Sequence, residues 1–224
     1  MTKLFIFSTF LLCVWSTVVQ GFSTTARTAL VIDNTTGEVL LSKDINRPIP
    51  PASMSKLMTL WMVFESLDEG KIEMHDTFKV SRKAWKKGGS KMFLREGETV
   101  KIKDLIKGVI IQSGNDACIV LAEGLAGTEE NFAELMTIRA KEIGLTNSNF
   151  KNSTGWPDPQ HKMSSKDLVT LATKIREKYP YYYQIFNDLE FTWDGISQKN
   201  RNPLLLMNLG ADGLKTGYTD EAGY

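Results

Sequence analysis

Three short motifs that together could build a nucleophilic serine site follow one another along the chain. They are Ser53-Met54-Ser55-Lys56, Ser113-Gly114-Asn115 and Lys215-Thr216-Gly217. A serine hydroxyl attacks a carbonyl group well only when a neighbouring base takes its proton. A lysine three residues further along a helix lies on the same side as the serine and could be that base. The three motifs together predict acyl transfer to a serine, although each alone is short enough to occur by chance.

Lys56 could act as a base only when neutral, so its surroundings must lower its pKa. Burial against the apolar helix that follows would do so, and a second cation nearby, for which Lys215 is the candidate, would add to the shift. The start of that helix also directs backbone N–H groups toward developing negative charge, as an oxyanion site requires. The alternative is structural: Ser53 and Ser113 could be helix caps, and Lys215 a solvated residue of an edge strand.

The segments around the motifs alternate between strand-like and helix-like patterns. Residues 28–32 and 38–42 flank a turn sequence and predict a hairpin. Apolar periodicity and capping signals predict helices over 55–67, 115–125 and 131–143, a helix that carries Leu105–Ile111, and a helix from Ser164 through Ile175. Strands are predicted at 191–193 and 213–218, and a surface loop at 82–89. Strands near both ends with helices between them predict an α+β fold.

Composition excludes several classes of protein. The 27 Lys and Arg residues balance 26 Asp and Glu residues, so no basic surface for nucleic acid is expected. His75 and His161 are the only histidines and no His-Glu-x-x-His sequence occurs, which argues against a metal peptidase. No metal or other cofactor is therefore expected. Cys118 lies in an apolar helical stretch and is predicted to be a small buried hydrophobe.

The first 21 residues are typical of a secretory signal peptide. Lys3 precedes an apolar stretch from Leu4 to Val19, and Gly21 provides a small residue for cleavage. The stretch is interrupted by hydroxyl residues and is short for a bilayer span of about 20 residues, which disfavours a retained anchor. The protein is expected to be exported to the periplasm or the outer face of the cytoplasmic membrane.

Longer segments around the motifs carry a resemblance to a known family. The chain resembles low-molecular-mass penicillin-binding proteins of serine peptidase family S11, the D-alanyl-D-alanine carboxypeptidases, from about Thr28 to its last residue. The resembling segments are Pro51–Thr59, Gly89–Leu94, Ile110–Ala117, Asn200–Asn202 and Asp212–Thr219. The implied fold is that of serine β-lactamases and DD-peptidases, an antiparallel sheet flanked by helices with a helical subdomain.

The resemblance implies catalytic roles by position. Ser53 would be the acylated nucleophile, Lys56 its base, and Ser113 the relay of a proton to the departing D-alanine. The backbone N–H groups of Ser53 and Tyr218 would form the oxyanion hole, although the family often has histidine where this chain has Tyr218. The implied reaction removes the terminal D-alanine from peptidoglycan stem pentapeptides, and β-lactams would trap Ser53.

The resemblance also implies how substrate binds. Asn115 would hold the amide side of the substrate, and Lys215 and Thr216 would bind its terminal carboxylate. Gly217 would let the substrate approach the backbone. Two alternatives stay open. A β-lactamase would prefer Ser-Asp-Asn at the second motif and needs a glutamate, for which Glu142 is one residue out of register. A non-catalytic peptidoglycan-binding relative could keep the fold alone.

The resemblance finally bounds the domains. Residues 1–21 would be the signal peptide and 22–224 a catalytic domain without its last strands. The family's C-terminal β domain and amphipathic anchor would be absent, so peripheral membrane contact is expected only of a longer form. Two further strands follow the third motif in the resembled fold, so a polypeptide ending at Tyr224 is expected to be poorly stable and weakly active or inactive.

Overall fold

A central buried helix organises the fold. The computed structural model describes residues 23–223, so the predicted signal peptide over residues 1–21 lies outside the described residues. Helix α1 (Lys56–Asp68) has ten buried residues among its thirteen. A helix that is apolar nearly all round must be enclosed by other elements, as this one is. It is packed against three of the other helices, which join it in one hydrophobic core.

The other helices follow the sequence prediction closely, except that the short helices Arg82–Lys86 and Pro180–Tyr183 are not predicted. The chain forms α2 (Arg82–Lys86), α3 (Ile102–Ile110), α4 (Asn115–Ala126), α5 (Glu129–Glu142), α6 (Ser165–Lys178) and the short α7 (Pro180–Tyr183). The Ser164 hydroxyl accepts a hydrogen bond from the Asp167 N–H and caps α6, as predicted. The prediction of a surface loop over 82–89 is wrong for residues 82–86, which form α2. The Ser81 hydroxyl caps α2, and Ala84 anchors that turn in the core.

The antiparallel structure consists of three separate two-stranded pairs. The predicted hairpin joins β1 (Ala29–Ile32) to β2 (Val39–Lys43). Two more pairs join β3 (Thr77–Lys79) to β4 (Thr99–Lys101) and β5 (Glu190–Trp193) to β6 (Ile196–Lys199). The combination of these pairs with the helices confirms the predicted α+β class.

The strand predicted over 213–218 is not formed. Residues 211–217 make no backbone–backbone hydrogen bond within residues 23–223, and such pairing is what defines a strand. Side chains hold the segment instead. The Asn202 amide donates to the Gly213 carbonyl at 2.6 Å, and the Tyr183 hydroxyl donates to Asp212 at 3.0 Å. The third motif is therefore positioned by tertiary contacts rather than by a sheet.

Aromatic residues after α6 serve mainly as core. Tyr179 is 2% exposed, and its ring meets the rings of Trp61 and Phe64 edge to face. Tyr181, by contrast, is largely exposed. Across residues 23–223, no helix combines the length and the apolar character needed to cross a membrane.

Candidate active site

Ser53 and Lys56 meet where a tight turn becomes helix α1. Residues Ala52–Ser55 form a single 3₁₀ turn, and Lys56 is the first residue of α1. Side chains three residues apart eclipse in such a turn. The Lys56 Nζ accordingly lies 2.9 Å from the Ser53 Oγ. The nucleophile and its candidate base are thus already within hydrogen-bonding reach.

Lys56 is completely buried and held from three sides. Besides Ser53, its Nζ donates to the Asn115 Oδ1 at 2.8 Å and to the Thr154 carbonyl at 2.6 Å. Burial lowers the pKa of Lys56 to about 8, and the positive charges of Arg201 and Lys87 act in the same direction. A lysine in this state is neutral often enough near physiological pH to accept a proton.

The second motif lies between α3 and α4 and faces the same point. Ser113 is 2% exposed and has a left-handed backbone with φ of +58°. Asn115 begins α4, and its amide group bridges two elements: Oδ1 accepts from Lys56 while Nδ2 donates to the Gly88 carbonyl at 2.9 Å. The amide therefore orients Lys56 and fixes the 88–94 segment beside it.

The third motif lines a cavity of about 510 Å³ beside Ser53. Burial lowers the pKa of Lys215 to about 7, with further lowering by the charges of Lys56 and Arg201. Lys215 is not among the positive charges that lower the pKa of Lys56, and Arg201, for which the sequence predicted no role, lowers the pKa of both lysines. This cationic cavity is lined by Ser53, Ser90, Ser113, Arg201, Pro203, Lys215, Thr216, Gly217 and Tyr218.

Gly217 lies directly against the turn that carries the nucleophile. A Cβ atom at this position would come within 3.0 Å of the Ser53 N, the Met54 N and the Pro51 O. Contacts that short with backbone atoms would force the turn or the third motif to shift, so glycine favours the close approach to Ser53. Tyr218 follows at the same edge and lines two cavities that Ser53 also lines.

A second cavity, of about 450 Å³, is also lined by Ser53. Part of its wall is the loop 152–157, for which sequence reasoning gave no role. The Asn152 Oδ1 accepts hydrogen bonds from the backbone N–H groups of Thr154, Gly155 and Trp156 and so fixes this loop. This loop-side cavity is lined by Ser53, Gly89, Ser90, Asn115, Thr154, Gly155, Trp156, Pro157, Tyr218, Thr219, Asp220 and Glu221.

Asp116 holds the 88–94 segment against the second motif. Its carboxylate is 1% exposed and accepts hydrogen bonds from the backbone N–H groups of Met92, Phe93 and Leu94 at 2.9, 2.9 and 3.2 Å. Phe93 has a left-handed backbone, with φ of +70°, which turns these donors toward one carboxylate. The same segment places Ser90 at both cavities, and the Arg201 Nη1 donates to the Ser90 Oγ at 2.5 Å.

Replacing Asp116 with alanine is expected to lower the free energy of unfolding by about 3 kcal/mol or more, because buried N–H groups lose their acceptor. Urea denaturation measures this loss. Asp104→Ala is the matched control, since Asp104 also lies in the first turn of a helix but is partly exposed. It should cost only about 0.5 kcal/mol through the helix dipole. Equal losses in the two variants would contradict a clamping role for Asp116.

Comparison with known proteins identifies the family. The sequence profile of Peptidase_S11, described as D-alanyl-D-alanine carboxypeptidase, matches residues 16–224. The chain belongs to this family. Among its relatives, the D-alanyl-D-alanine carboxypeptidase DacF of Bacillus subtilis is 41% identical over 208 residues, which cover 89% of this chain and 52% of DacF. DacC of Escherichia coli is 41% identical over 213 residues, 92% of this chain and 53% of DacC.

Solved structures support the same fold. Penicillin-binding protein 5 from Haemophilus influenzae superposes with a TM-score of 0.88 at 37% identity, covering 92% of this chain and 61% of that one. Penicillin-binding protein D2 from Listeria monocytogenes, in an ampicillin-bound form, gives 0.79 at 29% identity, covering 89% and 82%. The fold and family inferred from the sequence are confirmed. The chain spans about half the length of the curated relatives it matches.

The remaining candidates from the sequence, Glu142, His161 and Cys118, line neither cavity. Glu142 forms an ion pair with Arg139 at 2.7 Å. Burial lowers the pKa of His161 to about 4, and its Nδ1 accepts from the Lys151 N–H, as a structural residue would. Cys118 is buried, and burial raises its pKa to about 12, so its thiol stays protonated. Residues 23–223 contain no group of three His, Cys, Asp or Glu side chains that could hold a metal ion.

Proposed function

We propose that the chain is the catalytic part of a serine-type D-alanyl-D-alanine carboxypeptidase. The observation that carries the proposal is the 2.9 Å contact between the Ser53 Oγ and the Nζ of a buried lysine whose pKa is lowered to about 8. A positioned nucleophile with a base that can be neutral is the minimum that acyl transfer requires. The named relatives make D-alanyl-D-alanine the natural substrate class for this pair.

The reaction we propose begins with attack of the Ser53 Oγ on the carbonyl carbon of the penultimate D-alanine. Neutral Lys56 takes the hydroxyl proton as the oxygen–carbon bond forms. The backbone N–H groups of Ser53 and Tyr218 stabilise the negative carbonyl oxygen. Ser113 relays a proton to the leaving nitrogen, the carbon–nitrogen bond breaks, and D-alanine departs. Water then hydrolyses the ester on Ser53 and regenerates the hydroxyl.

Substrate binding follows from the charges of the cationic cavity. The terminal carboxylate lies with Lys215 and Thr216, close to Arg201, while Asn115 contacts the amide side of the substrate and Gly217 leaves room for its backbone. The lowered pKa of Lys215 applies to the site when no anion is bound. A carboxylate beside it favours the charged form and raises that pKa, so binding and protonation of Lys215 reinforce each other.

Peptidoglycan stem peptides and β-lactams are the partners we propose. A β-lactam presents a strained amide and a carboxylate to Ser53 and leaves a stable acyl-enzyme. The ampicillin-bound relative supports binding of this class of compound. A β-lactamase would instead hydrolyse the adduct rapidly, which needs a placed glutamate. The Glu142 ion pair with Arg139 argues against that role for the glutamate weighed in the sequence.

The domain limits and location remain predictions of this proposal. Export with removal of residues 1–21 would place residues 22–224 where peptidoglycan is accessible, in the periplasm or at the outer face of the cytoplasmic membrane. The similarity to penicillin-binding proteins supports that location. The weak activity or inactivity expected of a polypeptide ending at Tyr224 stays a prediction, and an adduct on Ser53 of a well-folded chain would contradict it.

The proposal predicts two products that can be measured directly. Incubation with an N-acylated peptide ending in D-alanyl-D-alanine should release D-alanine, and incubation with benzylpenicillin should raise the protein mass by one intact penicillin. Digestion and mass spectrometry should locate that mass on Ser53. The same peptide ending in L-alanine is the control and should release nothing. An adduct on another residue, or no adduct and no D-alanine, would refute the proposed function.

A further inference from the structure

The two cavities beside Ser53 differ in chemistry. The cationic cavity holds Lys215 and Arg201, whereas the loop-side cavity is bounded by the Trp156 ring and by Gly89 and Pro157. If the terminal carboxylate lies with the cations, as the proposed function has it, the leaving D-alanine occupies that cavity. The acyl half of the substrate must then extend from Ser53 into the loop-side cavity. This placement of the acyl half rests on the proposed function.

Trp156 is 43% exposed, and several contacts hold it in place. Its backbone N–H donates to the Asn152 Oδ1 at 3.0 Å. Its ring packs so closely on Gly89 that a Cβ atom there would lie 3.0 Å from it. The Lys87 ammonium lies 4.2 Å from the ring centroid, a cation–π distance that holds the ring further.

A rigid aromatic surface beside a nucleophile is suited to one kind of ligand group. Exposed apolar area that is already fixed in place gains from contact with an apolar group without losing side-chain entropy. Aromatic rings and methylene chains both stack well on an indole face. Polar backbone atoms could be bound by the rest of the site, which contains Asn115 and Thr154. The Trp156 ring therefore determines which acyl groups bind well, whereas the polar groups bind the backbone of any substrate.

We propose that Trp156 is a specificity-determining residue that binds an apolar side chain on the acyl half of the substrate, either a methylene chain or an aryl group. Acyl donors with such a group react faster at Ser53 than donors that carry only a small acyl group. Trp156 contributes to their binding before and during acylation and takes no part in the proton transfers. Its removal should thus change the ratio between donors and not the chemistry itself.

Two penicillins that share the same bicyclic core and carboxylate test the proposal. Benzylpenicillin carries a phenylacetyl side chain and 6-acetamidopenicillanic acid carries an acetyl group. In Trp156→Ala, the second-order acylation rate constant for benzylpenicillin should fall about tenfold, while that for the acetyl compound should stay within about twofold. Trp156→Phe, which keeps an aromatic surface, should restore most of the difference. Intact-protein mass spectrometry follows both reactions.

Trp85→Ala is the matched control, because Trp85 is 40% exposed and lines neither cavity. It should leave the ratio of the two rate constants unchanged. Equal loss for both penicillins in Trp156→Ala would show that the residue only supports the loop and would overturn the proposal. No change for either penicillin, or a selective loss in Trp85→Ala as large as that in Trp156→Ala, would also overturn it.

A binding measurement separates this inference from the proposed function. In Ser53→Ala, which cannot be acylated at residue 53, the Kd for benzylpenicillin should be lower than that for the acetyl compound. The added change Trp156→Ala should remove that difference. If benzylpenicillin forms no adduct with the unmodified chain but this difference in Kd is found, the function fails and the aryl site stands. If the adduct forms but the Kd values are equal, the aryl site fails and the function stands.

Discussion

Lys56→Met is expected to slow acylation of Ser53 by benzylpenicillin by a factor of about 10³. Methionine keeps much of the length of the side chain in a fully buried position but offers no group that can take a proton. The Ser53 hydroxyl also loses its contact at 2.9 Å, so nothing holds its proton in the direction of transfer. Mass spectrometry at fixed penicillin concentration measures the rate constant, because each molecule reacts only once.

The pH dependence distinguishes a base from a structural cation. Because burial lowers the pKa of Lys56 to about 8, the amine is mostly charged at pH 6 and mostly neutral at pH 10. The second-order acylation rate should rise as Lys56 becomes neutral and fall as Lys215, whose pKa in the empty site is about 7, loses the charge that binds the carboxylate, so the profile should be bell-shaped. Lys56→Met should lose the rising limb along with most of the rate. If Lys56 served only as a positive charge, the rate would fall with rising pH and show no rising limb.

A lysine elsewhere in the chain provides the control for this prediction. Lys107 forms an ion pair with Asp188 and lines neither cavity, so Lys107→Met should keep the acylation rate and its pH profile. The Asn115 Oδ1 and the Thr154 carbonyl lose their donor in Lys56→Met, so its melting temperature should fall, and the rates are compared at a temperature at which both proteins are folded. A Lys56→Met protein that stays folded and is acylated at the original rate would rule out the assignment of the base.

The parts of the fold that could be predicted are those fixed by local patterns. The sequence predicts helix α1 because its residues are apolar on nearly all sides and Gly70 ends the apolar stretch. Helix α2 was missed because its five residues contain one buried side chain, Ala84, and its stability comes from a cap and tertiary packing. Residues 213–218 have a strand-like composition, but a strand also needs a neighbour, which composition does not report.

In the candidate site too, the sequence predicts the residues that one local pattern brings together and not those that only the fold brings together. The motifs predicted Ser53 and Lys56 because both belong to one turn, and spacing alone brings them together. Residues of the loop 152–157 come from an irregular segment with no periodic pattern, and only the folded chain brings Thr154 to the Lys56 Nζ. Asn152 weakly indicates a turn, because asparagine often accepts hydrogen bonds from the backbone N–H groups that follow it. Nothing in the sequence indicated that these bonds would shape a cavity.

Gly155→Ala is expected to lower the free energy of unfolding by about 2–4 kcal/mol, from two separate causes. Gly155 has φ of +78°, a conformation that costs a residue with a Cβ atom about 1 kcal/mol or more. The added methyl group would also lie 1.9 Å from the Ala52 carbonyl oxygen and 2.7 Å from the Ser55 Oγ. Backbone atoms cannot yield as a flexible side chain can, and overpacking of this kind costs about 1–3 kcal/mol.

Gly127→Ala separates these two causes. Gly127 has nearly the same φ, +77°, but a Cβ atom there would meet nothing within 4 Å. Its substitution should cost only the conformational part, about 1 kcal/mol, in urea denaturation. The excess loss in Gly155→Ala then measures the contact with the turn that carries Ser53. Because that turn must shift to relieve the clash, Gly155→Ala should also slow acylation, whereas Gly127→Ala should not. Equal stability losses and equal rates in the two variants would show that the loop yields and that its contact with Ala52 does not position the nucleophile.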